Sequence, residues 1–185
     1  MGNLISNIIH TTSRTNHARL NILMFDSSTS QIISFGYTKH LFYIFNTYED
    51  KKWNTKHVLL PDNFNLVSDD SVTASPLIDV NYDLIVYNNP LFENVAIEYS
   101  KKLHIPILKI ENNHKKNSVK NLYCDVVVYI NKNIKESWNG KDTDYVCDSV
   151  LKEQNEIEIK TFSEQWNEIL TSAASIKSGV YYENS

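Results

Sequence analysis

Residues 83–110, DLIVYNNPLFENVAIEYSKKLHIPILKI, decide the fold. The run from Asp83 to Tyr87 is apolar after its first residue, which is typical of a strand covered on both faces. Asn89 followed by Pro90 indicates a helix start, with asparagine as the cap and proline in the first turn. Apolar residues at spacings of three and four then predict an amphipathic helix, and Ile105 to Ile110 predicts the next strand. The stretch is therefore a β-α-β unit whose two strands are parallel.

Further segments on both sides of this unit have the same character. Apolar runs predict strands, and two short segments predict helices, whereas residues 53–80 show no regular pattern. The strands are Leu20 to Phe25, His40 to Phe45 and Asp125 to Ile130, and the short helices are Ser30 to Tyr37 and Asn133 to Asn139. A chain of 185 residues is long enough for one such core and too short for two. We predict an α/β protein with a single Rossmann-like, open and mostly parallel sheet flanked by helices.

A last helix is predicted near the end of the sequence. Thr161 to Glu164 has the pattern of a capping box. From Phe162 onwards, five apolar residues share one helical face: Phe162, Trp166, Ile169, Leu170 and Ala173. Since this face has to be buried, we expect the helix to pack back on the sheet. The predicted organisation is a lead-in at 1–19, the Rossmann-like domain at 20–140, a linker at 141–160, and a C-terminal crossover helix with a tail at 161–185.

Composition argues against several functions. The chain has 18 Lys and Arg against 22 Asp and Glu, so a nucleic-acid partner is not expected. No run reaches the roughly 18 apolar residues that a membrane span needs, and no secretory signal is predicted. Cys124 and Cys147 form no CxxC pair, which favours free thiols in a reducing compartment and predicts no metal site.

Phosphate-binding motifs are also missing from the sequence. The four glycines stand at positions 2, 36, 140 and 179, so neither GxGxxG nor the Walker loop can be formed. No cofactor is predicted. The histidines show no metal-ligand spacing, and no catalytic residue can be assigned from the sequence.

Short polar residues follow the predicted strands. Ligands of open parallel sheets bind beyond the carboxyl ends of the strands, which makes these residues candidates for ligand binding. They are Asp26, Ser27, Asn88, Asn89, Glu111 and His114. His114, near Glu111, is the one histidine that could serve as a base. The alternative is that these residues are ordinary turn and cap residues, in which Asn, Asp and Ser are common.

Five segments in this order resemble a known family. They are LNILMFD at 20–26, WNT at 53–55 with LPDN at 60–63, YDLIVYNN at 82–89, IPILKIE at 105–111 and CDVVVYINKNIKESW at 124–138. Together they resemble the N-terminal domain of glycosyltransferases with two Rossmann domains (the GT-B type), especially bacteriophage and bacterial versions. In that family the first domain faces the acceptor and the second binds the nucleotide-sugar.

The resemblance has two departures. Residues 141–160 stand where the family has its whole donor domain, while Thr161 to Ile169 resembles the family's closing helix. The family's strand-end Glu-His pair is replaced by Glu111-Asn112-Asn113-His114. The resemblance therefore implies a degenerate glycosyltransferase-like domain that binds a partner protein or a glycan without being an enzyme by itself. The alternative is half of a glycosyltransferase, completed by a separate donor domain or by a second copy of the chain.

The sequence contains 22 asparagines and is rich in Ile, Lys and Tyr. All four residue types have AT-rich codons, a bias common in bacteriophages, viruses and some bacteria. We therefore expect a phage- or virus-encoded protein, either a virion component or a host-interaction factor, located in the virion or the cytoplasm.

Overall fold

A computed structural model of the protein describes residues 19–25, 28–45, 60–67, 80–113, 124–141, 143–153 and 155–176. Within these ranges, seven parallel strands form one sheet in the order β3-β2-β1-β4-β5-β6-β7. The strands are β1 (Asn21–Phe25), β2 (Leu41–Phe45), β3 (Phe64–Val67), β4 (Leu84–Tyr87), β5 (Ile107–Glu111), β6 (Val126–Tyr129) and β7 (Tyr145–Val146). The predicted single Rossmann-like α/β fold is confirmed.

The strand order reverses at the centre of the sheet. From β1 the chain builds β2 and β3 on one side, and it then returns to build β4 to β7 on the other. β1 and β4 are direct neighbours, with Phe25 paired to Tyr87 at their carboxyl ends. A crevice forms at such a reversal because the connections on its two sides run in opposite directions. We call this place the switch point.

Helices cover both faces of the sheet. One face carries α1 (Thr29–Phe35) and α4 (Glu156–Ser175), and the other carries α2 (Glu93–Leu103) and α3 (Lys132–Ser137). Alternate strand residues supply the two cores: Ile22 and Met24 belong to the first, and Leu23 and Phe25 to the second. Because both faces are covered, the central strands β1 and β4 are almost entirely apolar rather than alternating with polar residues.

The C-terminal helix packs on the sheet as predicted. All five residues of its apolar face are buried: Phe162, Trp166, Ile169, Leu170 and Ala173. The side chain of Trp166 is 0% exposed, and its ring meets that of Phe35 edge-on with 4.7 Å between the centroids. Its Nε1 donates a hydrogen bond to the carbonyl of Asp148 at 2.8 Å. The indole is thus both packed and hydrogen-bonded.

The structure corrects the predicted start of this helix. It begins at Glu156, with Asn155 as the cap accepting from the backbone nitrogen of Glu158, so Thr161 to Glu164 is no capping box. Thr161 is already inside the helix and donates its hydroxyl to the carbonyl of Ile157. The side-chain oxygen of Asn155 accepts from one of the free N–H groups of the first turn, so the helix extends to that point.

Two strands were missed at the sequence level. β3 lies where no regular pattern was predicted, and β7 lies in the segment 141–160 that was predicted to be a linker. The two strands have four and two residues, which is too short for a periodicity to show. Both are edge strands, so their place in the sheet depends on the neighbour they pair with. Segment 141–160 therefore contributes to the sheet and to α4.

His40 gives the fold a predictable response to acid. Its ring is 0% exposed, and Nδ1 accepts a hydrogen bond from the backbone nitrogen of Leu20 at 3.2 Å. Burial, reinforced by the charge of Lys39, lowers the pKa of His40 to about 4. The unfolded chain binds this proton near pH 6.5, so stability is complete above pH 6.5 and falls as the pH drops towards 4.

We expect His40 to account for roughly 2–3 kcal/mol of the stability lost between pH 7 and pH 4.5. Urea unfolding at the two pH values measures the loss. His40→Asn is the control, because its amide oxygen can accept from Leu20 but has no proton to gain. Equal losses in the two proteins would show that His40 does not cause the acid response.

Candidate functional site

The predicted site residues are placed only in part. Asn88, Asn89 and Glu111 belong to the described residues, whereas Asp26, Ser27 and His114 lie outside them. The three described residues follow or end β4 and β5, which are neighbours in the sheet. Their side chains nevertheless do not converge.

Asn88 is directed towards the face covered by α1 and α4. Its Nδ2 donates to Oε1 of Gln31, with 2.5 Å between the two atoms. Its Oδ1 is buried and has no hydrogen-bond partner among the described residues. A buried acceptor without a donor is uncommon in folded proteins. The Oδ1 of Asn88 is therefore a buried acceptor at the switch point whose hydrogen bonding the described residues do not account for.

Gln31 links Asn88 to two other parts of the chain. It forms a capping box with Ser28, in which each side chain bonds the other residue's backbone nitrogen at 3.3 Å. Its Nε2 donates to the Ser149 hydroxyl at 2.9 Å. Neither Gln31 nor Ser149 was among the predicted site residues. The spacing of Ser28 and Gln31 could have indicated the capping box, but nothing near Ser149 indicates a partner that is 118 residues away.

Asn89 is a helix cap, as its position before Pro90 predicted. Its Oδ1 accepts from the backbone nitrogen of Leu91 at 3.0 Å and caps the 3₁₀ turn Pro90–Phe92. This turn leads into α2. Of the two roles considered for Asn89, the described contacts show that of an ordinary cap residue.

Glu111 lies on the opposite face of the sheet, in a buried group of charges. Its Oε2 is 3.1 Å from Nζ of Lys109, which is also 3.7 Å from Oε1 of Glu93. All three residues are at most 5% exposed. We call Glu93, Lys109 and Glu111 the Lys109 cluster. The ammonium also lies 5.1 Å from the centre of the Trp138 ring, which adds a cation–π contact.

The remaining contacts of the cluster hold both carboxylates in place. The Tyr87 hydroxyl donates to Oε1 of Glu93 at 3.0 Å, and the backbone nitrogen of Asn113 donates to Oε1 of Glu111 at 3.0 Å. Burial raises the pKa of Tyr87 far above its usual range. The carboxylates are therefore fixed by one cation and by neutral donors, away from solvent.

The chemistry available at this edge is limited. A general base must reach the proton that it removes, and neither carboxylate of the Lys109 cluster is accessible. Burial raises the pKa of Cys124 to about 12 and that of Cys147 to about 11, so both thiols remain protonated near neutral pH. Across the described ranges, no group of three or more His, Cys, Asp and Glu is arranged to hold a metal, and no helix is long and apolar enough to cross a membrane.

A separate cavity of about 440 Å³ lies at the carboxyl ends of β6 and β7, beside α4. We call it the β7 cavity. Apolar, amide and charged side chains line it: Ile130, Asn131, Lys132, Val146, Cys147, Asp148, Val150, Leu151, Lys152, Glu158, Thr161, Phe162 and Gln165. None of the six predicted site residues is among them.

The strand order and the two-sided helical cover define an α/β protein of the Rossmann-like class. No family model matches the sequence, and no curated protein matches it. Among solved structures, the glycosyltransferase SnogD from Streptomyces nogalater matches 85% of this chain with 11% sequence identity and a TM-score of 0.40. The chain spans 36% of the length of that protein. A likeness at this level transfers neither activity nor substrate.

Proposed function

We propose that the chain is a glycosyltransferase-like domain that binds a glycan and has no catalytic activity of its own. The observation that carries the noncatalytic part is the Lys109 cluster. Glu111, the strand-end carboxylate that the sequence offers for chemistry, is 3% exposed and paired with Lys109. A carboxylate held in this way stabilises the fold and cannot take a proton from a substrate.

The binding part of the proposal rests on the switch point. Open parallel sheets bind ligands at this place, and the Oδ1 of Asn88 has no donor there among the described residues. Hydroxyl groups of a sugar are suitable donors for an amide oxygen. We assign Asn88 to the site together with Asp26, Ser27 and His114. We leave Glu111 and Asn89 out, because the Glu111 carboxylate is engaged in the Lys109 cluster and the Asn89 side chain caps the 3₁₀ turn.

The resemblance to the acceptor-facing domain of two-domain glycosyltransferases supports a glycan as the ligand. The AT-rich codon bias supports a phage or viral origin, in which a glycan-binding chain would serve as a virion component or a host-interaction factor.

Nucleotide-sugar binding tests the proposal against a half-enzyme. We expect isothermal titration with UDP-glucose and GDP-mannose to show no micromolar binding. We also expect the chain to hydrolyse or transfer the sugar of neither donor. A glycan array should detect binding to a limited set of structures. Micromolar binding of a nucleotide-sugar would contradict the noncatalytic role. An array on which no glycan is bound would contradict the proposal that the ligand is a glycan.

Asn88→Ala tests the site itself. Removal of an acceptor that bonds a sugar hydroxyl should weaken binding of the glycan found on the array about five- to tenfold. Asn133→Ala is the matched control, since Asn133 is exposed on α3 and lies outside the proposed site. Unchanged affinity in Asn88→Ala, measured by titration, would move the site away from the switch point.

A further inference from the structure

The β7 cavity has an apolar floor. Cys147 and Phe162 are buried, with Ile130 and Leu151 half-buried beside them. The ring of Phe162 packs against the ring of Phe35, with 5.9 Å between the centroids, so the floor is part of the main core. The cavity volume lies in the range of small-ligand sites, which are largely apolar with a few polar groups that fix the orientation of the ligand.

Three of the four charged residues that line the cavity are already engaged. Asp148 and Lys152 form an ion pair of 2.8 Å. The two carboxylate oxygens of Glu158 accept from the backbone nitrogens of Lys152 and Glu153 at 2.9 and 3.0 Å. The charges of Asp148 and Lys152 therefore balance each other, and the charge of Glu158 is stabilised by two backbone N–H groups.

Lys132 is the charged lining residue that remains. Among the described residues it forms no ion pair and no hydrogen bond through its ammonium group. Gln165 is an amide at the same cavity; its Oε1 accepts from Sγ of Cys147 at 3.5 Å, and its nitrogen has no acceptor in the described ranges. An uncommitted cation and an amide donor thus stand beside an apolar floor.

We propose that the β7 cavity binds a small organic anion: a branched or aromatic apolar body that carries one carboxylate. The body covers the floor at Cys147 and Phe162, and the carboxylate accepts from Lys132 and from the amide nitrogen of Gln165. Lys132 is exposed and is solvated by water, and a carboxylate would add an ion pair with it that a neutral ligand cannot make. An inorganic anion would leave the floor uncovered. This site goes beyond the glycan site and does not depend on it.

Cys147 provides a direct readout of occupancy. It belongs to the floor of the cavity, whereas Cys124 packs on the opposite face of the sheet. Alkylation by iodoacetamide at pH 9, followed at each cysteine by peptide mass spectrometry, separates local protection from a general effect. The probes are 3-methylbutanoate, its uncharged amide 3-methylbutanamide, and inorganic phosphate.

We expect 3-methylbutanoate to slow alkylation of Cys147 but not of Cys124. Its apparent affinity should exceed that of the amide about two- to fivefold, since the ion pair with Lys132 is partly exposed to solvent. Lys132→Gln should abolish this difference. Lys160 is an exposed lysine of α4 that does not line the cavity, so Lys160→Gln should leave the difference between the acid and the amide unchanged.

Several results would overturn the site. These are no protection by 3-methylbutanoate, equal slowing of both cysteines, equal affinity for the acid and the amide, or an acid preference that survives Lys132→Gln. Protection by phosphate alone would show an anion site without an apolar component and would also contradict the proposal.

Discussion

Trp166→Ala should lower the free energy of unfolding by about 3–5 kcal/mol. The side chain is fully buried, packs edge-on against Phe35, and bonds the carbonyl of Asp148 through its Nε1. Alanine would leave a cavity in the core and an unsatisfied carbonyl in the segment that leads from β7 to α4. Urea denaturation followed by circular dichroism measures the change.

Two variants separate the causes of this loss. Trp166→Phe keeps an aromatic ring but lacks the indole nitrogen, so it should destabilise the protein less than alanine does. Ile157→Ala on the same helix removes a side chain that is 80% exposed and should leave stability nearly unchanged. A loss for Trp166→Ala no larger than that for Ile157→Ala would contradict the docking of α4 on the sheet.

Lys109→Met should be comparably severe, at about 3–5 kcal/mol. Methionine has a similar volume, so the effect arises from charge: the carboxylates of Glu93 and Glu111 would remain buried without a cation. Adding Glu93→Gln and Glu111→Gln to Lys109→Met removes the unpaired charges, and most of the loss should be recovered. Thermal and urea unfolding of the single and triple variants measure both effects.

An exposed ion pair of the described chain is the matched control. Lys152 and Asp148 are 2.8 Å apart, but their side chains are 76% and 48% exposed. Lys152→Met should therefore leave the unfolding free energy nearly unchanged. If Lys109→Met were as harmless as Lys152→Met, the Lys109 cluster would not contribute to the stability of the fold.

The sequence predicts those elements that have a long, regular pattern. The unit from β4 to β5 and the buried face of α4 follow from apolar runs and from spacings of three and four residues. β3 and β7 follow from no such pattern because they are short edge strands. Asn155 was missed as the cap of α4 because Thr161 to Glu164 offers a competing capping pattern inside the helix.

The candidate site was harder to predict, for a reason of register. Tyr87 pairs with Lys109, so Asn88 lies opposite Ile110 and faces α1 and α4, whereas Glu111 faces α2. A set of polar residues at strand ends therefore divides between two faces, and the sequence alone does not reveal the register of the pairing. The pair Lys109 and Glu111 could have been found, because residues two apart in a strand share a face.

The position of α4 in the chain affects how the protein is made. Every strand of the described sheet precedes Glu156, yet the face that carries Ile22, Met24 and Leu84 is covered in large part by α4. During synthesis on the ribosome, that apolar face emerges long before the helix that covers it. The nascent chain therefore passes through a stage in which this sheet face is covered only in part, and exposed apolar surface of this kind makes the chain prone to aggregate.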